Sequence, residues 1–320
     1  MNAPALRVAY RAERATTLLA APDTLAVFGF GDTGENPPDP RHLRVHLPSL
    51  SSSVPHECWS VGARVTSGSS GALRWAAGGG WRFAAVEIDE AEHDGIEGAS
   101  NRAYALLLAH VADSPECHLL RIWNYLDAIN AGDGDSERYR LFCKGRASSL
   151  AACGISRYPA ATAIGHHGPR DLLQVYALCT ANPGCALENP RQVSAWKYPR
   201  RYGPTAPNFA RAMRLPGGTL AISGTASVIG HASHHVDDID AQSDEAFANL
   251  EVLLERAGLP AFDEHSPLKV YVRRTQDVGA VQRSLARHLD ANVPRVLLHG
   301  DICRRELLVE IDGWRFGNPG

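Results

Sequence analysis

Two stretches of this chain lie over one another without a gap. YPAATAIGHHGPRDLLQVYAL (Tyr158–Leu178) aligns with VPRVLLHGDICRRELLVEIDG (Val293–Gly313), so that Pro159 meets Pro294, Gly165 meets Gly300, Arg170 meets Arg305, and Leu172–Leu173 meet Leu307–Leu308. Chance similarity between two apolar hairpins would account for this match alone. The helices and the strand ahead of each copy also agree in order, and self-similarity on that scale marks duplicated structural units. In the alignment Glu310 falls opposite Val175, so the two copies are not chemically equivalent.

The units read as α/β (α+β). In the second copy, GGTLAISGTAS (Gly217–Ser227) is a strand running into a turn. DDIDAQSDEAFANLEVLLERAGLP is an amphipathic helix, with Phe247, Leu250, Leu254 and Ala257 at spacings of three or four. Ser243 or Asp240 is the candidate cap, and Gly258 with Pro260 supplies the stop. LKVYVRR (Leu268–Arg274) is a strand, DVGAVQRSLARHL a helix, and RVLLHG (Arg295–Gly300) and ELLVEIDG (Glu306–Gly313) are the closing strands. In the first copy, NRAYALLLAHV and SERYRLFCKGRASSLAAC are helices on either side of the strand LLRIWNYL (Leu119–Leu126). Residues 1–90 read as a mixed β region with strands at TLAVFGFG (Thr24–Gly31), RVHLPSL and RFAAVEID (Arg82–Asp89). Asn36–Pro40 and Ser67–Gly71 read as turns or exposed loops. The expected division is therefore 1–90, a first repeat at 91–190 and a second at 191–320.

Apolar residues make up 44% of the 320, enough for a sizeable core. Net charge is −3 and the basic residues are scattered, which argues against a nucleic-acid partner. No apolar run reaches the ~18 residues that span a membrane. Met1–Pro22 lacks the apolar core of a signal peptide. The seven cysteines form no CxxC pair and read as reduced thiols in a cytoplasm, not as a disulfide framework or a zinc site. GHASHHVDD (His231, His234, His235, Asp237, Asp238) fits no single helix face and reads as a polar loop, so no metal is expected; His166 and His167 read likewise. Gly78–Gly80 has no following Lys-Ser/Thr and is no phosphate loop.

Strand alternation puts Leu308, Glu310 and Asp312 on one face and Val309 and Ile311 on the other. A carboxyl among apolar neighbours is held protonated near neutrality, which suits a general acid. On the residues alone the plainer reading is a strand-end Glu paired with an Arg.

The C-terminal unit, with ISGTAS, AQSDEAFANLEVLLERAG, KVYVRR and VEID, resembles the YjgF/RidA family. From about residue 120 to 313 the chain is similar to the chorismatases, which include the 3-hydroxybenzoate synthases and are often labelled pteridine-dependent deoxygenases. The motifs that carry this are RIWNYLDAIN, ERYRLFCKGRA, NPRQVSAWKYPRRYGPTAPNFARA, ISGTASVIGHASHH and HGDICRRELLVEIDG. The first ninety residues resemble that family more weakly. The resemblance implies fused RidA-like units in a pseudo-trimeric arrangement, with a monomer standing in for a homotrimer.

It also implies a cofactor-free enzyme. Glu310 falls on the family's catalytic glutamate and would protonate the enol ether of chorismate, releasing pyruvate and 3-hydroxybenzoate, possibly with 4-hydroxybenzoate. Chorismate is a dianion and needs two cationic or hydrogen-bonding clamps. Tyr139 and Arg146, seven residues apart on one helix face, are candidates. Tyr198, Arg201, Tyr202 and Arg211, on a loop punctuated by proline and glycine, are others, with Tyr202 preferred to Tyr198. Ala226 and Cys303 match positions where the family's subtypes differ, and Cys at 303 resembles the hydroxybenzoate-forming branch; Cys303 reads otherwise as a small buried hydrophobe. Arg295, fifteen residues before Glu310, stands where RidA-type proteins bind a carboxylate. It supports a rival reading as an imine or enamine deaminase. A non-catalytic binder of an aromatic acid is the third reading.

Overall fold

The computed structural model describes residues 5–32, 34–51 and 55–317. The duplicated pattern becomes two sheets of matching connectivity. The first unit contains β5 (Thr66–Ser70), β6 (Leu73–Gly78), β7 (Trp81–Asp89), α2 (Gly95–Ala112), β8 (His118–Asp127), α3 (Arg138–Ala152), β9 (Ala160–His166) and β10 (Leu172–Thr180), after β1–β4 and α1 of the N-terminal region. The second contains β11 (Cys185–Leu187), β12 (Ala212–Arg214), β13 (Leu220–Ala226), a small hairpin β14 (Val228–Ile229) and β15 (Ala232–Ser233), α4 (Ile239–Ala257), β16 (Leu268–Val272), α5 (Val278–His288), β17 (Arg295–His299), β18 (Asp301–Ile302) and β19 (Val309–Arg315). Strand order is β5-β6-β7-β10-β8-β9 in one and β11-β12-β13-β19-β16-β17 in the other. Only β8–β9 and β16–β17 are parallel within these two runs. The short β18 joins the first sheet by pairing with β9, tying the units together.

The N-terminal region repeats the scheme in reduced form. Here β1 (Arg7–Arg11), α1 (Ala15–Leu19), β2 (Thr24–Phe30), β3 (His42–Val45) and β4 (His56–Ser60) form a sheet of order β1-β4-β2-β3, with β2–β3 parallel. This is the β7-β10-β8-β9 arrangement with a five-residue first helix and, among the described residues, no second one. The three sheets turn their inner faces to a common core containing Trp59, Trp123, Tyr176, Tyr271 and Trp314. The larger helices cover the outer faces of the two full units. The expected pseudo-trimer is thus visible in the strand order.

Several local expectations differ from the structure. The strands β5–β7 lie within the region read as 1–90, yet they are hydrogen-bonded into the sheet of the first repeat. Ser67–Gly71, expected as a loop, is largely the exposed edge strand β5, held by its hairpin to β6 and covered at Gly68 by the Trp75 ring. Such a strand carries no hydrophobic alternation because neither of its faces is buried. The α4 cap is Asp238, which accepts from the Ala241 amide at 3.0 Å; Ser243 donates back to the Ile239 carbonyl instead. Gly258 ends that helix in the left-handed region, φ 63°, as expected. Among the described residues no helix is long and apolar enough to cross a membrane.

The gapless alignment also slips by one residue in side-chain facing. Val175 packs against the helices, whereas Glu310 faces inward. Glu310 lies in register between Ala226 and Tyr271, and Gln174 lies likewise between Glu87 and Tyr125. Gln174 therefore holds the place of Glu310 in the first unit. A shift of one residue reverses every side chain of a strand, and sequence matching cannot detect it when both faces are apolar.

The common core is polar as well as aromatic. Lys269 donates to Glu57 at 2.9 Å, both about 1% exposed, and Trp59 Nε1 donates to the other Glu57 oxygen at 2.8 Å. This pair links the N-terminal sheet to the second unit. Removing one partner strands the other charge, so Lys269→Met should lower unfolding free energy by about 3–5 kcal/mol in urea titration. The double variant Glu57→Gln/Lys269→Met should recover most of that loss.

Candidate active site

Glu310 sits on β19 with its side chain on the inner face and is 5% exposed. Its seat is made by Gly224. At this point β13 slips register against β19 between Ile222 and Thr225, and a Cβ on Gly224 would collide with the Glu310 carboxyl. Burial pushes that carboxyl up to about 8, and the Asp312 charge two residues along adds to the effect; Arg121, Arg211 and Arg304 oppose it. At neutral pH Glu310 is a neutral acid in a buried seat.

The seat opens into a cleft of about 280 Å³ between the two full units. One wall is the β9 edge and α3 of the first unit, with Tyr139, Arg146 and Ala161–Ala163. The other is the β13–β19 face of the second, with Gly224, Ala226 and Glu310. The segment 198–211 and the turn after β18 close the rim. The nine residues that the chorismatase resemblance points to line this one cleft: Glu310, Cys303, Tyr139, Arg146, Tyr198, Arg201, Tyr202, Arg211 and Ala226.

Two of its guanidinium groups are buried without an acidic partner among the described residues. Arg146 is 2% exposed, with Nη2 3.8 Å from the Cys143 sulfur and Nε unpartnered. Arg211 is 6% exposed; Nη2 donates to the Tyr198 hydroxyl at 2.6 Å and the Val193 carbonyl at 2.9 Å, and Nε is unpartnered. An unpaired buried cation is costly, so both are ready-made seats for an anion. Arg201 is exposed and donates to the Tyr202 hydroxyl at 3.0 Å and meets His231 Nδ1 at 2.8 Å. It belongs to the rim. Cys303 packs where the common core meets the core of the first unit, and burial pushes its thiol up to about 12, with the Glu310 charge adding to this. It presents a neutral, polarizable sulfur.

Arg304 was not singled out in the sequence. Its guanidinium stacks 4.1 Å from the Tyr202 ring and 5.1 Å from the Tyr198 ring, and it donates to the His231 carbonyl and to Ser233, each at 3.0 Å. It fixes the aromatic wall. Nothing in "CRRE" separates it from Arg305, which turns outward to the carbonyls of Asn130 and Gly132. Gly224 did carry a signal, since glycine inside a strand pattern marks a close approach. Arg295 lies outside the cleft. It donates to the carbonyls of Asp290 and Val293 at the start of β17, which removes the residue on which the deaminase reading rested. Among the described residues no group of three or more His, Cys, Asp and Glu is placed to hold a metal ion.

Residues 57–179 match the family model described as "Chorismatase FkbO/Hyg5-like, N-terminal". A 3-hydroxybenzoate synthase of Streptomyces hygroscopicus is 34% identical over 275 residues, 80% of each chain. A chorismatase of the same organism is 35% identical over 285 residues, covering 84% of this chain and 81% of that one. A crystal structure of a chorismatase superposes with a TM-score of 0.87 at 30% identity, covering 98% of this chain and 99% of the other. The chain belongs to the chorismatase family. Within a chorismatase, the seat at Gly224 has a direct consequence. Gly224→Ala should displace the carboxyl and lower turnover about 100-fold, while the thermal unfolding midpoint stays within a few degrees of the parent.

Proposed function

We propose that this chain cleaves the enolpyruvyl ether of chorismate to 3-hydroxybenzoate and pyruvate, with Glu310 as the acid. The observation that carries the reading is a carboxyl held neutral in a buried seat, in a cleft that also holds two unpaired guanidinium groups. The products together contain the atoms of the substrate, so the reaction needs neither an oxidant nor a net water.

Arg146 and Arg211 lie on different elements of the cleft, and each takes one carboxylate of the dianion. That fixes the alkene against Glu310. Transfer of the Glu310 proton to the methylene carbon forms the methyl group of pyruvate and leaves an oxocarbenium-like centre. Fixed polar groups in a dry cleft stabilise that charge without reorganising. Pyruvate then departs with the ether oxygen. The hydroxyl on ring carbon 4 bridges to the vacated carbon 3 and releases carbon 4, so that the oxygen ends on carbon 3, and the carbon 3 proton lost on becoming aromatic returns to Glu310. Cys303, neutral and polarizable beside the acid, lies against the ring and guides it toward the hydroxybenzoate, with Ala226 leaving room on the β13 side.

One chain supplies every wall of the cleft, which supports a working monomer. The seven free thiols suit a reducing compartment such as the cytoplasm. Incubation of the purified protein with chorismate, followed by separation of products, should show pyruvate and 3-hydroxybenzoate in equal amounts. Bound but unconverted chorismate would instead make the protein a binder. Glu310→Gln, which keeps the shape but not the proton, should lower kcat at least 1,000-fold without loss of fold by circular dichroism.

The pH dependence has a definite sign. Glu310 acts in its protonated form, so activity is present below about 8 and is lost as pH rises through that value. The basic limb of kcat/KM should fall about tenfold per pH unit above it. A limb in the ordinary carboxyl range, near pH 4 to 5, would contradict the assignment.

A further inference from the structure

Asp312 is fully buried two residues beyond Glu310, on the same face of β19. Successive residues on one face of a strand are roughly 6.6 Å apart. One Asp312 oxygen, Oδ2, accepts from four donors: Arg121 at 3.1 Å, Trp123 at 3.0 Å, Thr162 at 2.7 Å and Tyr271 at 2.9 Å. Those donors come from β8, β9 and β16, so both full units hold it. Thr162 also lines the cleft. No other carboxylate among the described residues accepts from so many side chains. In the first unit the matching register position, between Trp123 on β8 and Ala85 on β7, is filled by Tyr176.

We propose that Asp312 is a positioning residue for the reaction, a fixed negative charge that keeps its strand neighbour Glu310 in the proton-carrying form. The inference rests on the reading of Glu310 as the acid. Glu310 is faced by Arg211, by Arg304 and Cys303 from the turn after β18, by Arg121 from β8, and by Asp312. Three of these five are cations that favour the carboxylate, and Asp312 is the one fixed anion against them. Asp312 is itself faced by Arg121, Tyr125, Tyr176, Tyr271, Lys269 and Tyr10. Its four hydrogen bonds, all to Oδ2, prevent it from turning away. For two charges roughly 6.6 Å apart in a protein interior, loss of one moves the other's titration by about one to two pH units.

The test is a carbon-13 NMR titration of the full chain labelled at the Glu and Asp side-chain carboxyl carbons, in the parent and in Asp312→Asn. The Glu310 midpoint should fall by about one to two pH units in the variant, and the basic limb of kcat/KM should fall with it. A merely structural role would lower activity at every pH and leave the midpoint in place, and that result overturns the proposal. Should Asp312→Asn fail to fold, Asp312→Ser, which also removes the charge, is read in the same way, and a Glu310 midpoint that stays in place overturns the proposal. The NMR arm needs no substrate. Absence of pyruvate release by the parent would sink the reaction assigned above, while the midpoint shift would still decide the role of Asp312.

Discussion

Burying a carboxyl is unfavourable in its charged form, and burying one beside three guanidinium groups would ordinarily draw its proton away. Glu310 keeps the proton because desolvation and the neighbouring Asp312 together outweigh Arg121, Arg211 and Arg304. The rest of the site follows from that balance. Gly224 is bare of a side chain so that the carboxyl fits. Arg121 is tied to Asp312 and Thr162, so its charge is partly spent before it reaches Glu310. Arg146 and Arg211 stay without acidic partners, and so remain open to an incoming anion.

The duplicated architecture explains why, among the described residues, the three similar junctions are not chemically equivalent. Where the second unit carries Glu310, the first carries Gln174, whose amide donates to the Arg44 carbonyl at 2.8 Å and to Glu87 at 2.7 Å. That junction is closed by its own hydrogen bonds and has no proton to give. The N-terminal sheet contributes Glu57 to the centre, but Lys269 neutralises it. The three sheets supply the same geometry, while a glutamine and an ion pair silence two of the junctions. The reduced N-terminal unit still supplies a wall of the common core through Phe28 and Trp59.

Much of this was legible in the chain itself. Period-two alternation placed Glu310 and Asp312 together and away from Val309 and Ile311, and the structure agrees. Helical spacing placed Tyr139 and Arg146 on one side of α3, and both face the cleft. The internal repeat implied fused units before any strand was paired. All of these are local properties, governed by the rise and twist of a single element, and a sequence records them directly.

Other features depend on which elements meet, and local pattern carries no record of that. The exposed β5 has no alternation to betray it, so its membership in the first repeat emerged only from its pairing with β6. The true counterpart of Glu310 is Gln174 and not Val175, because a one-residue slip is invisible where both faces of a strand are apolar. Arg304 and Arg305 are neighbours with the same chemistry, and only the path of the turn after β18 sends one to the tyrosines and the other to solvent-side carbonyls. The sequence by itself determined most of the elements, their faces and the placement of the Glu310 carboxyl among apolar neighbours on the last strand. Tertiary structure decided which charges surround that acid, because the state of a buried proton depends on groups brought near from other strands.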